Sequence, residues 1–242
     1  AGGHNAPPRG QTQLSDRGEP VYGARDVVDL NAIRSLGLPF WLAGSYGSPD
    51  QVLNALDVGA SGVQVGTAFA FCEESGLRSD IKDSVLRMCL DGGAPFVFTD
   101  AAASPTGFPF KVLQLDDSLS ESSVYDQRER LCDLGFLREG YSKSDGTIGW
   151  RCPAEGTSSY VHKGGDLDNT IGRKCVCNGL MSNVGLGQLR RGGEQEQPLV
   201  TCGNDVRHIA NFLKTSDDTS YFAGDVVDYL LSSVQTHSVA TD

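Results

Sequence analysis

Between residues 38 and 99 the chain alternates short apolar runs, glycine turns and helix-forming stretches, and this alternation limits the fold more than any other feature. Leu38-Pro39-Phe40-Trp41-Leu42-Ala43 is a continuous apolar run of the kind that forms a strand buried on both faces. The turn Gly44-Ser45-Tyr46-Gly47 follows it. Ser48-Pro49-Asp50-Gln51 then has the pattern of a capping box, with serine as N-cap, proline at the first helical position and glutamine three residues on. Val52, Leu53 and Leu56 supply the core side of that helix, and Gly59 closes it. A second strand with its turn is expected over Gly62-Val63-Gln64-Val65-Gly66-Thr67-Ala68-Phe69. A second helix is expected from about Asp80 to Leu90, stopped by Gly92-Gly93, and a third strand over Ala94-Pro95-Phe96-Val97-Phe98-Thr99. The order βαβαβ predicts an α/β fold whose strands are parallel neighbours joined by right-handed crossovers.

A closed barrel of this type needs about eight such units. Three strands are visible here, so in a (β/α)8 TIM barrel residues 1–111 would be the C-terminal part, with the N-terminal strands upstream of Ala1. The first 25 residues carry Pro7, Pro8, Gly10, Gly18, Pro20 and Gly23 among polar residues and read as a long loop. Val27, Val28, Leu30, Ile33 and Leu36 recur near helical spacing before Gly37 ends the element. After Thr99 comes a proline-pinned loop, Ser104 to Lys111, and then an acidic stretch with Asp116, Asp117, Glu121 and Asp126. Residues 112–242 are expected to be a mixed, mainly helical and irregular extension with two late helices, near Asp205 to Leu213 and Ala223 to Ser233.

A formal charge of −11 argues against a nucleic-acid partner, which would demand a clustered basic face. The longest apolar runs fall well short of the roughly 18 residues of a membrane span, so no membrane partner is expected. Seven cysteines, an odd number without a secretory signal, favour reduced thiols and a cytoplasmic setting. No sequence feature sets an oligomeric state.

In parallel α/β enzymes the ligand sits at the carboxyl ends of the strands, where turn amides and helix N-termini hold phosphates. Gly44-Ser45 and Gly66-Thr67 fall in those places, and Gln64 stands near the end of its strand. The plainer alternative is that these are tight turns that need glycine anyway. Gly2-Gly3-His4 adds paired glycines, which let the backbone approach a flat ligand, followed by an acid/base side chain.

These three segments, Ala1-Gly2-Gly3-His4, Trp41 to Pro49 and Gly59 to Phe69, resemble the nitronate monooxygenase family, formerly called 2-nitropropane dioxygenases: FMN-dependent barrel flavoproteins related to flavin enoyl reductases. The resemblance is firmest over residues 1–111. It implies that Gln64, Val65, Gly66 and Thr67 hold FMN, that Gly44 and Ser45 form the other phosphate turn, and that Gly2 and Gly3 lie beside the cofactor. It further implies that His4 is the active-site acid/base over the flavin and that alkyl nitronates or nitroalkanes are oxidised with molecular oxygen. Ser45 departs from the family, where a second glycine is usual.

Two other readings stand beside this one. A flavin-dependent enoyl-thioester reductase of the same superfamily would need a docking surface for an acidic acyl carrier, and no basic patch is evident. Alternatively, the extension is a metal-stabilised interaction module built on Cys132, Cys152, Cys175 and Cys177. Their spacing matches no recognised knuckle, and thiols without metal are the expectation. His162, His208 and His237 lie in the extension or tail and are expected to be surface or structural residues.

Overall fold

The structure, a computed structural model, describes residues 4–93, 95–215 and 218–239. The chain divides into two compact units. One takes in Gly23–Val97 and the residues from Cys202 onward; the other takes in His4–Tyr22 and Phe98–Thr201. The expected extension is therefore shared, with residues 112–201 in the second unit and residues from 202 in the first.

In the first unit, α1 (Leu30–Arg34) is shorter than the predicted helix over Val27–Leu36. Asp29 caps it, its Oδ1 accepting the Ala32 N–H at 3.1 Å, so the helix starts after Val27 and Val28. β1 (Trp41–Ala43) and β2 (Gly62–Gln64) pair in parallel with Trp41 opposite Gly62, Leu42 opposite Val63 and Ala43 opposite Gln64. Between them runs α2 (Pro49–Asp57), capped as its sequence predicts: Ser48 Oγ accepts the Gln51 N–H at 3.4 Å.

The predicted strand over Gly62–Phe69 ends at Gln64, and Thr67 opens a helical turn, α3 (Thr67–Ala70). The Ala70 N–H bonds the Gly66 carbonyl at 3.0 Å, while the Ala68 carbonyl accepts the Tyr221 hydroxyl at 2.7 Å. Strand pairing is thus replaced by helical and side-chain partners. α4 (Ser79–Leu90) buries Ile81, Val85 and Leu86.

In the second unit the third strand departs from the βαβαβ expectation. β3 (Val97–Asp100) pairs with β4 (Phe110–Leu113) and not with β2. The two strands are close in sequence, which favours their pairing, and the Thr99 N–H is taken by the Glu19 carboxylate at 2.9 Å. Ala94, where that strand was expected to begin, lies outside the described residues.

Phe110 and Val112 of β4 enter a core with Ala103, Leu119, Val176 and Leu199. The Leu113 and Leu119 N–H groups bond the carbonyls of Val200 and Pro198 at 2.9 and 2.8 Å. α5 (Ser122–Gln127) precedes an antiparallel hairpin, β5 (Glu139–Ser142) with β6 (Ile148–Arg151). α6 (Thr157–His162) and α7 (Val176–Asn183) follow. Two nitrogens of Arg128 bind the two carboxylate oxygens of Glu196 at 2.5 and 2.8 Å, and Arg190 pairs with both Glu196 and Asp133. With the Arg128 and Glu196 side chains 7% and 1% exposed, removing Glu196 would leave Arg128 buried and uncompensated.

The chain then returns to the first unit. A 3-10 helix (Asn204–Phe212) buries Val206, Ile209 and Phe212 against α4, and α8 (Ala223–Val239) packs on α2 and buries Val226 and Leu230. The architecture is α/β, with helices around three two-stranded sheets and no closed barrel among the described residues. No described helix is long and apolar enough to cross a membrane.

Candidate functional site

The register of β1 and β2 sets the chain beyond Ala43 beside the chain beyond Gln64, so Gly44-Ser45 and Val65-Gly66 leave the paired strands together at their carboxyl ends. Gly44 has φ 94° and Ser45 φ 63°. The turn demands the left-handed region at both positions, and a serine there carries strain of about 1–2 kcal/mol. Ser45 thus holds a glycine-like conformation with a side chain in place.

Ser45 opens onto a cavity of about 480 Å3 lined also by Gly47, Ser48, Gln51, Asn204, Asp205, Arg207, His208 and Asn211. One wall is the capped start of α2, where unpaired amides and the helix dipole favour negative charge. The facing wall is the 3-10 helix, which brings a guanidinium, an imidazole and a carboxylate. Asp205 Oδ1 is buried beside Gly203 without a hydrogen-bond partner. A phosphate such as that of FMN suits the serine hydroxyls, Arg207 and His208.

Gln64 ends β2, Val65 and Gly66 follow it, Thr67 opens α3, and none of the four lines the cavity. Gln64 is exposed at the end of β2, and Thr67 is buried, its hydroxyl accepting the Gly203 N–H at 2.8 Å. Gly2 and Gly3 lie outside the described residues.

His4 belongs to the second unit. It forms an antiparallel bridge with Phe110, and the Asn5 N–H bonds the Pro109 carbonyl at 2.8 Å, so backbone pairing fixes its position. Its ring lies 4.8 Å from that of Phe110 at an angle of 66°. Nε2 is 2.6 Å from the hydroxyl of the fully buried Ser104, which in turn lies 2.8 Å from Thr106 Oγ1. Desolvation lowers the imidazole pKa from its ordinary value. Asn5, Ala6, Thr106 and Phe108 share with His4 an open hollow of about 400 Å3. Phe108 is thus a lining residue there, while Tyr46, another aromatic of the glycine turns, is not.

His208, expected to be a surface or structural residue, is exposed and lines the cavity together with Arg207 and Asp205. No local motif marks them; they reach it only through contact between the 3-10 helix and α3, pinned by a bond spanning 136 residues. The seven cysteines are all free thiols, and among the described residues no group of three or more His, Cys, Asp or Glu is placed to hold a metal ion. In comparisons with known proteins, no protein-family model and no curated sequence matches the chain.

Proposed function

We propose that this chain belongs to an FMN-dependent oxidoreductase of the nitronate monooxygenase kind, oxidising alkyl nitronates, and nitroalkanes after proton removal, with molecular oxygen. The observation that carries the reading is the cavity at the carboxyl ends of a parallel strand pair, where a strained Ser45 turn and a capped helix face Arg207 and His208. Ser45, Ser48, Arg207 and His208 hold the cofactor phosphate. By the family resemblance, Gly44, Gln64, Val65, Gly66 and Thr67 are also cofactor residues. Bound FMN supplies the redox chemistry, taking electrons from the substrate and delivering them to oxygen.

His4 removes the α-proton of a neutral nitroalkane, since an unprotonated imidazole near neutral pH is suited to that task. Ser104 orients the ring. Barrel architecture is part of the same proposal: β1 and β2 are parallel, each is followed by a turn and a helix, and the apolar side chains of Leu38 and Trp41 stand exposed at 68% and 61%, surface that further parallel strands would cover.

The test is the visible absorption spectrum of the purified protein before and after anaerobic addition of an alkyl nitronate. A flavin spectrum bleached by the nitronate supports the proposal. A flavin that responds only to reduced nicotinamide replaces it with the enoyl-thioester reductase, and a protein that takes up no FMN refutes both.

A further inference from the structure

We propose that His4, Ser104 and Thr106 form a hydrogen-bond wire: His4 Nε2–H donates to Ser104, Ser104 to Thr106, and the Thr106 hydroxyl to an oxygen of the substrate's nitro group, so that Nδ1 is the nitrogen that takes the α-proton. This rests on the proposed role of His4 as base. It adds Thr106 as a substrate-binding residue and Ser104 as a positioning residue.

Ser104 is fully buried, while His4 and Thr106, on either side of it, are exposed and line the same hollow. The loop around Ser104 is clamped. Asp100 Oδ1 accepts the Ala102 and Ala103 N–H groups at 2.8 and 2.9 Å, and Arg173 Nη1 donates to the Ala102 and Ser104 carbonyls, each at 2.7 Å. Three groups meet the Ser104 hydroxyl: His4 Nε2 at 2.6 Å, Thr106 Oγ1 at 2.8 Å and the Thr106 N–H at 3.3 Å. A hydroxyl has one proton to donate and two lone pairs to accept with. The Thr106 N–H occupies one lone pair, so of the other two contacts one is donated by Ser104 and the other accepted. The directions of the His4 and Thr106 bonds are therefore locked together.

In one arrangement Nε2–H donates to Ser104, Ser104 donates to Thr106 Oγ1, and the Thr106 proton is left for the hollow. In the reverse arrangement Thr106 donates inward, Ser104 donates to Nε2, and the hollow loses its hydroxyl donor. Only the first leaves the ring a basic nitrogen, Nδ1, that is not tied to buried Ser104. Only the first survives protonation of the ring, because an imidazolium has two donors and no acceptor. As the α-proton leaves, the C–H bond breaks and Nδ1–H forms; the C–H electron pair makes the C=N bond, and an N=O pair moves onto oxygen. The ring becomes cationic at one end of the wire as the nitro oxygens become anionic at the other, and every bond between them is strengthened.

The experiment records proton–nitrogen correlation spectra of the full chain labelled in its four histidines, with His4→Asn assigning the ring. Where the ring is neutral, the expected tautomer is Nε2–H. Thr106→Val removes the acceptor of the Ser104 proton, so that proton should turn to Nε2 and change the tautomer to Nδ1–H, and Thr106→Ser should restore it. In the flavin-loaded protein Thr106→Val should also raise KM for ethyl nitronate about tenfold, with recovery in Thr106→Ser. A parent ring in the Nδ1–H form, a tautomer that Thr106→Val leaves unchanged, or an unchanged KM for ethyl nitronate overturns the wire. A parent chain that takes up no FMN refutes the proposed function instead, and the tautomer spectra then decide by themselves whether the wire exists.

Discussion

His4 is held on three sides, by backbone pairing to the Phe110 segment, by the Phe110 ring and by Ser104. Its pKa is lowered by desolvation, so between the folded value and about 6.5 the unfolded chain binds more protons than the native one. Stability from this group is therefore complete above about 6.5 and declines as pH falls through the folded pKa. An NMR titration of the His4 ring should give a midpoint below about 6.5, and the acid limb of nitroalkane turnover should follow it. His4→Asn should lower turnover of neutral nitroalkanes by about 10²–10⁴-fold while sparing preformed nitronates, which need no base; equal losses on both substrates would remove the general-base role. Ser45 makes a different case, because its φ of 63° is set by the turn and not by its side chain. Ser45→Gly should be nearly neutral in denaturant melts, relief of strain offsetting added chain entropy, whereas Ser45→Val should lose more than about 1 kcal/mol.

Element scale brings out the conflict between local propensity and packing at Gly179 in α7. Alanine there would ordinarily favour the helix by about 1 kcal/mol. However, an added Cβ would stand 2.5 Å from Leu199 Cβ, and the Leu199 N–H bonds the Gly179 carbonyl at 3.1 Å, so helix and neighbouring loop segment meet backbone to backbone. Overpacking of that order costs about 1–3 kcal/mol, and the net sign should be a loss. Urea unfolding of Gly179→Ala with a midpoint at or above that of the parent would show that the contact yields. The same contrast explains what was legible in the sequence. α2 was legible because its cap, proline and stop glycine lie within one short window. The hairpin of β5 and β6 carries an equally local signal, Asp145-Gly146, with the Thr147 N–H on Asp145 Oδ1 at 2.9 Å, but it stands alone in an otherwise irregular stretch. The pairing of β3 with β4 was not legible, because a short apolar strand does not encode its partner. Nor were Arg207 and His208 as cavity residues, since what brings them to the Ser45 turn is tertiary packing.

At the scale of the whole molecule two opposed tendencies meet. The first unit leaves large apolar side chains in water, Val27, Leu36, Leu38 and Trp41 among them, although parallel strands are normally covered on both faces. The chain also carries a net charge of −11, which keeps copies apart at low ionic strength. Screening shortens that repulsion to about 10 Å at 0.1 M salt and about 3 Å at 1 M, while burial of apolar surface is weakened little. The expectation is a monomer at low salt that associates as salt rises, through the face that bears Trp41. Trp150 is exposed as well, at 59%, so Trp150→Phe isolates the reporter. In that variant Trp41 emission should be that of a hydrated indole, readily quenched by acrylamide at low salt. With increasing salt it should shift to the blue and lose quenching in step with the rise in mass from light scattering. A mass increase that leaves Trp41 quenchable would mean that the copies meet elsewhere. A blue-shifted Trp41 at low salt and monomer mass would mean that the β1 face is already covered by the chain itself.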